Sequence, residues 1–247
     1  MDFYDNKLRF VHEYLESTEL ARTFLSGDGI RLDGDELQPY DIIELPKVEM
    51  LVSEFAQLFC VFNNSRVHKQ GSNEVSADGA PPGLYFTVIN THVIQNQHKN
   101  RIGLVREGES EEIFIDELFL DHFFLHNRTP PLLGTLAFAL CAMTAHNAGI
   151  QAIELIGAGD AKTPGKFIGF KVWPKLGFDA PVALEELVEA PLLQDCETIQ
   201  QIIARDPAWW DSNGSQRLMR FDLTPDSASW SKLLSYVCEK FQIEAAP

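Results

Sequence analysis

The sequence predicts an α/β fold with a mixed, partly parallel sheet and flanking helices, and three successive segments predict it. Residues 113–124 form a dense apolar run with the composition of a buried strand. Residues 135–147 contain no Asp, Glu, Lys or Arg and are rich in the helix formers Leu, Ala and Met. Residues 153–156 form a second strand-like run. A strand, a helix and a strand in this order make a crossover, which favours a parallel pair of strands.

The middle segment predicts a helix over residues 134–148 that is covered on more than one side. Its apolar side chains, Leu136, Phe138 and Leu140 among them, recur nearly all round the helix. Gly149 follows where helices commonly end in a left-handed residue. The loop before the helix leaves backbone N–H groups free at the positive end of the helix dipole, which makes it a potential anion site.

The flanking segments predict further helices, strands and a loop. Helices are predicted over residues 3–25, 47–63, 184–188, 196–204 and 229–241. Strands are predicted over residues 84–89, 101–105 and 217–223, and a turn-rich loop over residues 66–82. We therefore predict an N-terminal helical segment, a central core and a C-terminal helix-strand-helix extension packed on the core, over residues 1–82, 83–182 and 183–247.

Composition excludes several classes of protein. The net charge of −16 at pH 7 argues against binding to nucleic acid or to anionic lipid. The longest uncharged apolar segment is too short to span a bilayer, and the acidic start of the chain is unlike a signal peptide. The four cysteines are widely separated and have no metal-binding spacing, so we expect reduced thiols, no metal site and a cytoplasmic protein without a membrane partner.

Two sequence features carry a resemblance to a known family. Gly134 and Gly149 are 15 residues apart, and residues 173–178 have the sequence Trp-Pro-Lys-Leu-Gly-Phe. The stretch over residues 113–178 resembles the core of the GNAT superfamily of N-acetyltransferases, as a divergent member. In that family a strand leads into an Arg/Gln-x-x-Gly-x-Gly/Ala loop that binds the pyrophosphate of acetyl-CoA, and a later helix ends with Tyr-x-x-Leu-Gly-Phe.

The chain departs from the family pattern at two places. Residues 129–134 lack the first basic residue and the middle glycine of the loop motif, and Leu132 stands at the glycine position. Arg128 lies one place before the motif. Trp173 stands where many members carry a tyrosine that protonates the leaving thiolate.

The resemblance implies an acyl-CoA-dependent N-acetyltransferase that uses acetyl-CoA as co-substrate and acetylates an amine on a small molecule or a protein. The alternative is a GNAT-fold module without catalysis that binds a ligand or a protein. The resemblance places the pantetheine arm along Phe123 and Phe124. It places the diphosphate at the residues of the loop and helix start, namely Arg128, Leu132, Leu133, Gly134 and Thr135. A plain proline-containing helix start is the alternative for this loop.

The resemblance also implies where a catalytic base would lie. Such a base is often a carboxylate about thirteen residues before the basic position of the loop. Counting back from Thr129 gives Asp116, with Glu117 beside it. His122 is the next candidate, because a neutral imidazole accepts a proton near pH 7. The alternative for the two carboxylates is a solvated strand face or a salt bridge.

Overall fold

The computed structural model describes residues 2–46, 48–95, 98–105, 116–163, 165 and 167–243, which form two compact units. The first unit contains residues 1–153 with residues 223–225 and 237–247, and the second contains residues 154–222 with residues 226–236. The three-segment division expected from the sequence stays a prediction.

The described residues contain eight α-helices and ten strands, besides a π-helical turn (Tyr4–Leu8) before the first α-helix and three 3-10 turns. The helices are α1 (Arg9–Ser17), α2 (Glu19–Phe24), α3 (Val52–Leu58), α4 (Leu133–Asn147), α5 (Gly169–Val172), α6 (Ile199–Arg205), α7 (Pro207–Asn213) and α8 (Ala228–Phe241). The strands are β1 (Arg31–Leu32), β2 (Asp35–Glu36), β3 (Ile42–Leu45), β4 (Val48–Leu51), β5 (Arg66–Ser72), β6 (Gly83–Ile89), β7 (Asn100–Val105), β8 (Glu117–His122), β9 (Ala152–Ile156) and β10 (Leu218–Asp222). Among the described helices, none combines the length and the apolar composition needed to cross a bilayer.

The sheet of the first unit is mostly antiparallel. Its strand order is β2-β1-β5-β6-β7-β8, in which β5 to β8 are antiparallel neighbours and β1 runs parallel to β5. β9 begins beside the beginning of β8, because the amides of Gln151 and Ala152 donate to the Asp116 carbonyl at 2.8 and 3.3 Å. Adjacent starts are the relation expected of parallel neighbours. The predicted α/β class with a partly parallel sheet is therefore confirmed.

Helices α3 and α4 form the core of the first unit. The Phe55 and Phe59 rings of α3 pack on Phe86 of β6, with ring centroids 5.1 and 4.3 Å apart. The side chains at residues 136–145 of α4 are all buried, and α1, α2 and α3 each contact this helix. The predicted covered helix is confirmed, and the N-terminal helices supply part of its cover because α4 has no polar face to turn to water.

The second unit is built around β10 and the turn that follows α5. β10 lies beside the end of β9, where the Gly157 amide donates to the Arg217 carbonyl at 2.9 Å. A 3-10 turn (Trp173–Leu176) continues α5 and ends at Gly177, whose φ is 100°. A Cβ at this position would lie 2.5 Å from the Ser229 carbonyl oxygen, so a glycine is required.

Several predicted boundaries are wrong in the N-terminal part of the chain. The helix predicted over residues 3–25 is broken at Thr18, which is extended and whose side chain caps α2 by accepting the Ala21 amide. The helix predicted over residues 47–63 begins as strand β4, because that strand forms a hairpin with β3. The loop predicted over residues 66–82 begins as strand β5, which has only Val67 buried among polar residues.

Other predicted elements are shorter than expected or partly undescribed. Residues 184–188 contain only the 3-10 turn Leu184–Leu187. The predicted strand over residues 113–124 is present as β8, and residues 113–115 lie outside the described residues. Helix α7 was not expected from the sequence, although Pro207 is its first residue and the Asp206 side chain caps it by accepting the Trp209 amide.

We expect Phe86→Ala to lower the free energy of unfolding by about 3–5 kcal/mol, because it leaves a cavity beneath α3. Chemical denaturation followed by circular dichroism measures the change. Phe10→Ala is the matched control, since Phe10 is 50% exposed and its loss should cost no more than about 0.5 kcal/mol. Equal costs for the two variants would contradict the packing of α3 on β6.

Candidate active site

A β-bulge near the end of β8 brings two polar side chains together. Leu120 faces Ile102 of β7 and His122 faces Arg101, so Asp121 is the extra residue. Successive residues of a regular strand point to opposite faces, and a bulge re-aims a side chain. The Asp121 Oδ2 and His122 Nδ1 atoms are accordingly 3.1 Å apart, although the two residues are adjacent in the chain.

The side chain of Asp121 is buried, and one of its oxygens faces two donors. Its side chain is 5% exposed, and Oδ2 accepts a hydrogen bond from Arg101 Nη1 at 2.6 Å as well as facing His122. A buried carboxylate is tolerated only when it is paired in this way. The pair therefore fixes the carboxylate between a permanent cation and an imidazole.

Arg101 is held from its other side by an aromatic ring. Its guanidinium carbon lies 3.8 Å from the centroid of the Tyr85 ring, which is a cation–π contact. The Tyr85 hydroxyl donates to the Pro81 carbonyl at 2.6 Å. A Cβ on Gly103 would lie 2.4 Å from the Tyr85 ring, so only glycine lets the ring lie against β7. The Tyr85 ring is therefore fixed at both its hydroxyl and its face.

These contacts shift the pKa values of Asp121, His122 and Tyr85. Burial alone would raise the pKa of Asp121, but the hydrogen bonds from His122 and Arg101 outweigh it and the pKa is lowered. The hydrogen bond to Asp121 raises the pKa of His122, against a smaller opposing effect of burial. Burial raises the pKa of the Tyr85 phenol, although the Arg101 charge opposes this. Asp121 is therefore ionised at neutral pH.

The imidazole of His122 is arranged to accept a proton. Because a carboxylate only accepts hydrogen bonds, Nδ1 of the neutral ring carries the hydrogen that faces Asp121. The lone pair then lies on Nε2, which is 4.0 Å from an Asp78 carboxylate oxygen on the exposed loop between β5 and β6. The His122 side chain is 38% exposed, so a bound molecule can reach Nε2. The arrangement is that of a general base oriented by a carboxylate.

The start of α4 lies next to the residues that follow β8. Leu132 has φ 67°, the Leu133 amide donates to the Pro130 carbonyl at 3.3 Å, and helix bonding begins at Leu136. Within the part of the chain that the structure describes, the amides of Gly134 and Thr135 have no acceptor. A helix of 15 residues thus presents free N–H groups at its positive end.

Side-chain packing connects this helix start to the strand end. A Cβ on Gly134 would lie 3.2 Å from Leu125 Cδ1 and 3.6 Å from Phe123 Cε1. The Phe124 amide donates to Asn100 Oδ1 at 2.7 Å, and the Phe124 ring stacks on His98 with centroids 4.4 Å apart. The helix start and the end of β8 therefore form one continuous surface in the first unit.

The other predicted cofactor residues lie in the loop between β8 and α4. Arg128 is exposed, and its amide donates to His126 Nδ1 at 3.0 Å, which leaves its guanidinium at the surface of the loop. Leu132 and Thr135 are half-buried, whereas Leu133 is buried. Arg128 is thus an exposed cation on the loop that precedes the helix, while the Leu133 side chain is buried and its amide is bonded to Pro130.

Asp116 and Glu117 lie at the opposite end of β8 from His122. The Asp116 carbonyl accepts the Gln151 amide just beyond the C-terminal end of α4, and α4 is roughly 22 Å long at 1.5 Å per residue. Asp116 is exposed and Glu117 is half-buried. The fold therefore places His122 at the end of β8 from which the chain leads to the helix start, and places Asp116 and Glu117 at the other end. The catalytic use of both carboxylates stays a prediction.

Sequence reasoning missed Asp121 and Arg101, and it considered Tyr85 only as a group that could protonate the leaving thiolate. Asp121 precedes His122 in the chain, and a regular strand would place the two on opposite faces. Only the bulge makes them partners, and nothing in the local sequence marks a bulge at that residue. A charged residue inside an apolar run was the one available signal, because such a residue needs a partner when it is buried.

The second unit has its own open groove of about 860 Å³. Asp179, Gln200, Arg220 and Lys232 are among its lining residues. Asp179 Oδ1 accepts the amides of Ala180 and Gln200, and Arg220 Nη1 donates to a Glu154 carboxylate oxygen at 2.8 Å. These polar groups stabilise the fold of the unit. Across the described ranges, no three His, Cys, Asp or Glu side chains are placed to hold a metal ion.

The Asp121–His122 pair should stabilise the fold within a limited pH range. Because the pKa of His122 is raised, its contribution is complete below the ordinary value of 6.5 and is lost as the pH rises through the folded-state value. Because the pKa of Asp121 is lowered, its contribution is present above the ordinary value of 3.8 and is lost as the pH falls through the folded-state value.

We therefore expect His122→Gln to cost more unfolding free energy at about pH 5.5 than at about pH 9. The difference should stay below about 1 kcal/mol, since the imidazole is partly exposed and solvent screens the pair. Urea denaturation at the two pH values measures it. His92→Gln serves as control because His92 is an exposed turn residue. A cost independent of pH would contradict the pairing.

Comparison with known proteins leaves the site to be interpreted from its own geometry. Searches against protein-family models, curated proteins and solved structures found no match. The described geometry consists of an imidazole oriented by a buried carboxylate and a helix start with free amides, both at the end of β8. The function of this site is therefore inferred from the chemistry of these groups.

Proposed function

We propose that this protein is an acyl-CoA-dependent N-acyltransferase that transfers an acyl group from coenzyme A to an amine. The observation that carries the proposal is the position of His122. An imidazole oriented by Asp121 ends β8, and the loop after that strand leads to the free-amide start of the buried helix α4. The 15-residue spacing of Gly134 and Gly149 and the Leu-Gly-Phe turn at residues 176–178 support the GNAT fold as the finer description.

The start of α4 suits the diphosphate of coenzyme A. The free amides of Gly134 and Thr135 lie at the positive end of the helix dipole, and this end favours a bound anion. The Thr135 hydroxyl is a further donor, and Arg128 on the preceding loop supplies a counter-charge. Leu132 brings its left-handed backbone to the place where the family carries glycine, so the turn is made without that residue.

His122 would act as the general base of the transfer. Its Nε2 takes a proton from the acceptor amine as the amine nitrogen forms a bond to the thioester carbonyl carbon. The tetrahedral intermediate then collapses, the C–S bond breaks, and the coenzyme A thiolate leaves. Asp121 stabilises the imidazolium that forms and keeps Nε2 oriented toward the acceptor. The raised pKa of His122 makes it a stronger base near neutral pH.

The leaving thiolate would take its proton from water. Trp173 cannot supply it, since an indole N–H is far too weak an acid. The Tyr85 phenol is also unsuited, because burial raises its pKa and its hydroxyl already donates to the Pro81 carbonyl. Turnover should therefore be slow, as a general acid typically contributes a factor of about 10² to 10⁴.

A non-catalytic ligand-binding module is the second candidate. The absence of the loop glycine and the presence of Trp173 at the tyrosine position favour it. The two candidates differ in one measurement, since only the enzyme releases free thiol from acyl-CoA in the presence of an amine acceptor, whether or not the module binds acyl-CoA. A panel of acyl-CoA donors and amines with thiol detection separates them.

We expect saturating acetyl-CoA to raise the melting temperature. A ligand at 100 times its Kd stabilises the folded state by about 2.7 kcal/mol, which corresponds to roughly 5–10 °C for a chain of this size. Thr135→Glu places a negative charge against the diphosphate and should abolish the shift. Thr135→Val keeps the backbone amide and should retain most of it. No shift with any acyl-CoA in the unmodified protein would refute the proposed function.

We expect His122→Gln to lower kcat/KM by about 10² to 10⁴, because it removes the base. Asp116→Asn and Glu117→Gln should keep near-normal activity, since both residues lie at the far end of β8. Rates measured from pH 6 to 9, with melting temperatures to confirm folding, test all three variants. A large loss in either amide variant with His122→Gln active would restore the base that the family resemblance implies.

A further inference from the structure

We propose that Arg101 is a positioning residue that sets both the orientation and the proton affinity of His122 through their shared partner Asp121. The inference rests on the proposed function only for its effect on turnover. Its physical content, a coupling between two cationic side chains through one carboxylate oxygen, can be measured without any substrate.

The geometry of the shared oxygen carries the inference. Arg101 Nη1 and His122 Nδ1 lie 2.6 and 3.1 Å from the same atom, Asp121 Oδ2. The shorter contact belongs to Arg101, whose charge is permanent, and the two cationic side chains share one carboxylate oxygen. Because Asp121 is buried, solvent screens this competition only weakly. Arg101 therefore holds Asp121 in the rotamer that orients the imidazole and moderates how strongly Asp121 attracts a proton to it.

A rigid support keeps Arg101 in place. Its guanidinium lies on the Tyr85 ring, and that ring lies on Gly103 with its hydroxyl bonded to the Pro81 carbonyl. The ring occupies the space of the side chain that Gly103 lacks. The support thus extends from the backbone of β7 through Tyr85 and Arg101 to Asp121, and ends at the reactive ring of His122.

The charges that face His122 fix the sign of the coupling. Asp121 and Asp78 favour the imidazolium, whereas Arg101 opposes it. The Phe124 ring, 5.9 Å away by centroids, is uncharged. Removing the Arg101 charge should therefore raise the pKa of His122, and removing the Asp121 charge should lower it. A merely structural contribution of both residues would move the titration in the same direction.

The titration of His122 by NMR, followed at its imidazole Cε1–H signal in the full-length protein, tests this. The signal is assigned by its absence in His122→Gln. We expect Arg101→Gln to shift the midpoint to higher pH and Asp121→Asn to shift it to lower pH. Arg31→Gln makes the same charge change in an exposed ion pair with Glu36 on β2 and should leave the midpoint unchanged.

The Tyr85 support is tested with a matched pair of variants. Tyr85→Leu removes the ring beneath the guanidinium and should shift the His122 midpoint in the same direction as Arg101→Gln. Tyr85→Phe keeps the ring and should shift it less. Gly103→Ala, which forces the ring away, should behave as Tyr85→Leu. Melting temperatures show whether each variant is folded at the temperature of the titration.

For an active enzyme, we expect Arg101→Gln to lower kcat by about tenfold to 100-fold with little change in KM, because a displaced base costs rate rather than substrate binding. Opposite NMR shifts without any turnover would uphold the coupling and refute the proposed function. The inference is overturned if Arg101→Gln leaves the midpoint where it is, moves it to lower pH, or moves it no further than Arg31→Gln.

Discussion

The fold of the first unit depends on the need to bury α4 on every side. The helix has no charged residue between Leu133 and Asn147, and its side chains at residues 136–145 are all shielded from water. One sheet covers only one side of a helix, so a second layer is required. Helices α1, α2 and α3 contact α4 and provide part of that layer. The long N-terminal segment is thereby explained as cover for one apolar helix.

Burying α4 also fixes where its two ends lie. The C-terminal end passes through Gly149 to the start of β9, beside the start of β8. The N-terminal end is held against Phe123 and Leu125, just beyond the end of β8. The helix start with its free amides and the His122 imidazole therefore lie toward the same end of β8. The proposed cofactor and base positions follow from one crossover and require no separate scaffold.

The sequence predicts the buried elements of this fold better than its exposed strands and its side-chain pairs. Helix α4 was predictable because its long apolar run leaves few alternatives, and β6, β7 and β9 were predictable because they are short segments rich in apolar strand formers. Strand β5 and the β3–β4 hairpin were not, since they carry few buried residues and their pairing depends on distant strands. For the candidate site, the spacing around Gly134 located the helix start and His122 was a candidate. The bulge at Asp121 could not be predicted from the local sequence, because it arises from the register between β7 and β8.

The charge balance around Asp121 explains why a buried carboxylate suits a site that handles protons. With His122 neutral, the negative Asp121 and the positive Arg101 compensate each other, which limits the cost of burying either charge. A proton accepted by His122 adds one positive charge at the exposed edge, where Asp78 lies 4.0 Å away and water is near. The Asp121–Arg101 pair therefore keeps its compensating charges whether His122 is neutral or protonated. The change in charge occurs at the exposed imidazole, where solvation lowers its free-energy cost. A base built in this way can gain and release a proton without repacking the strands that hold it.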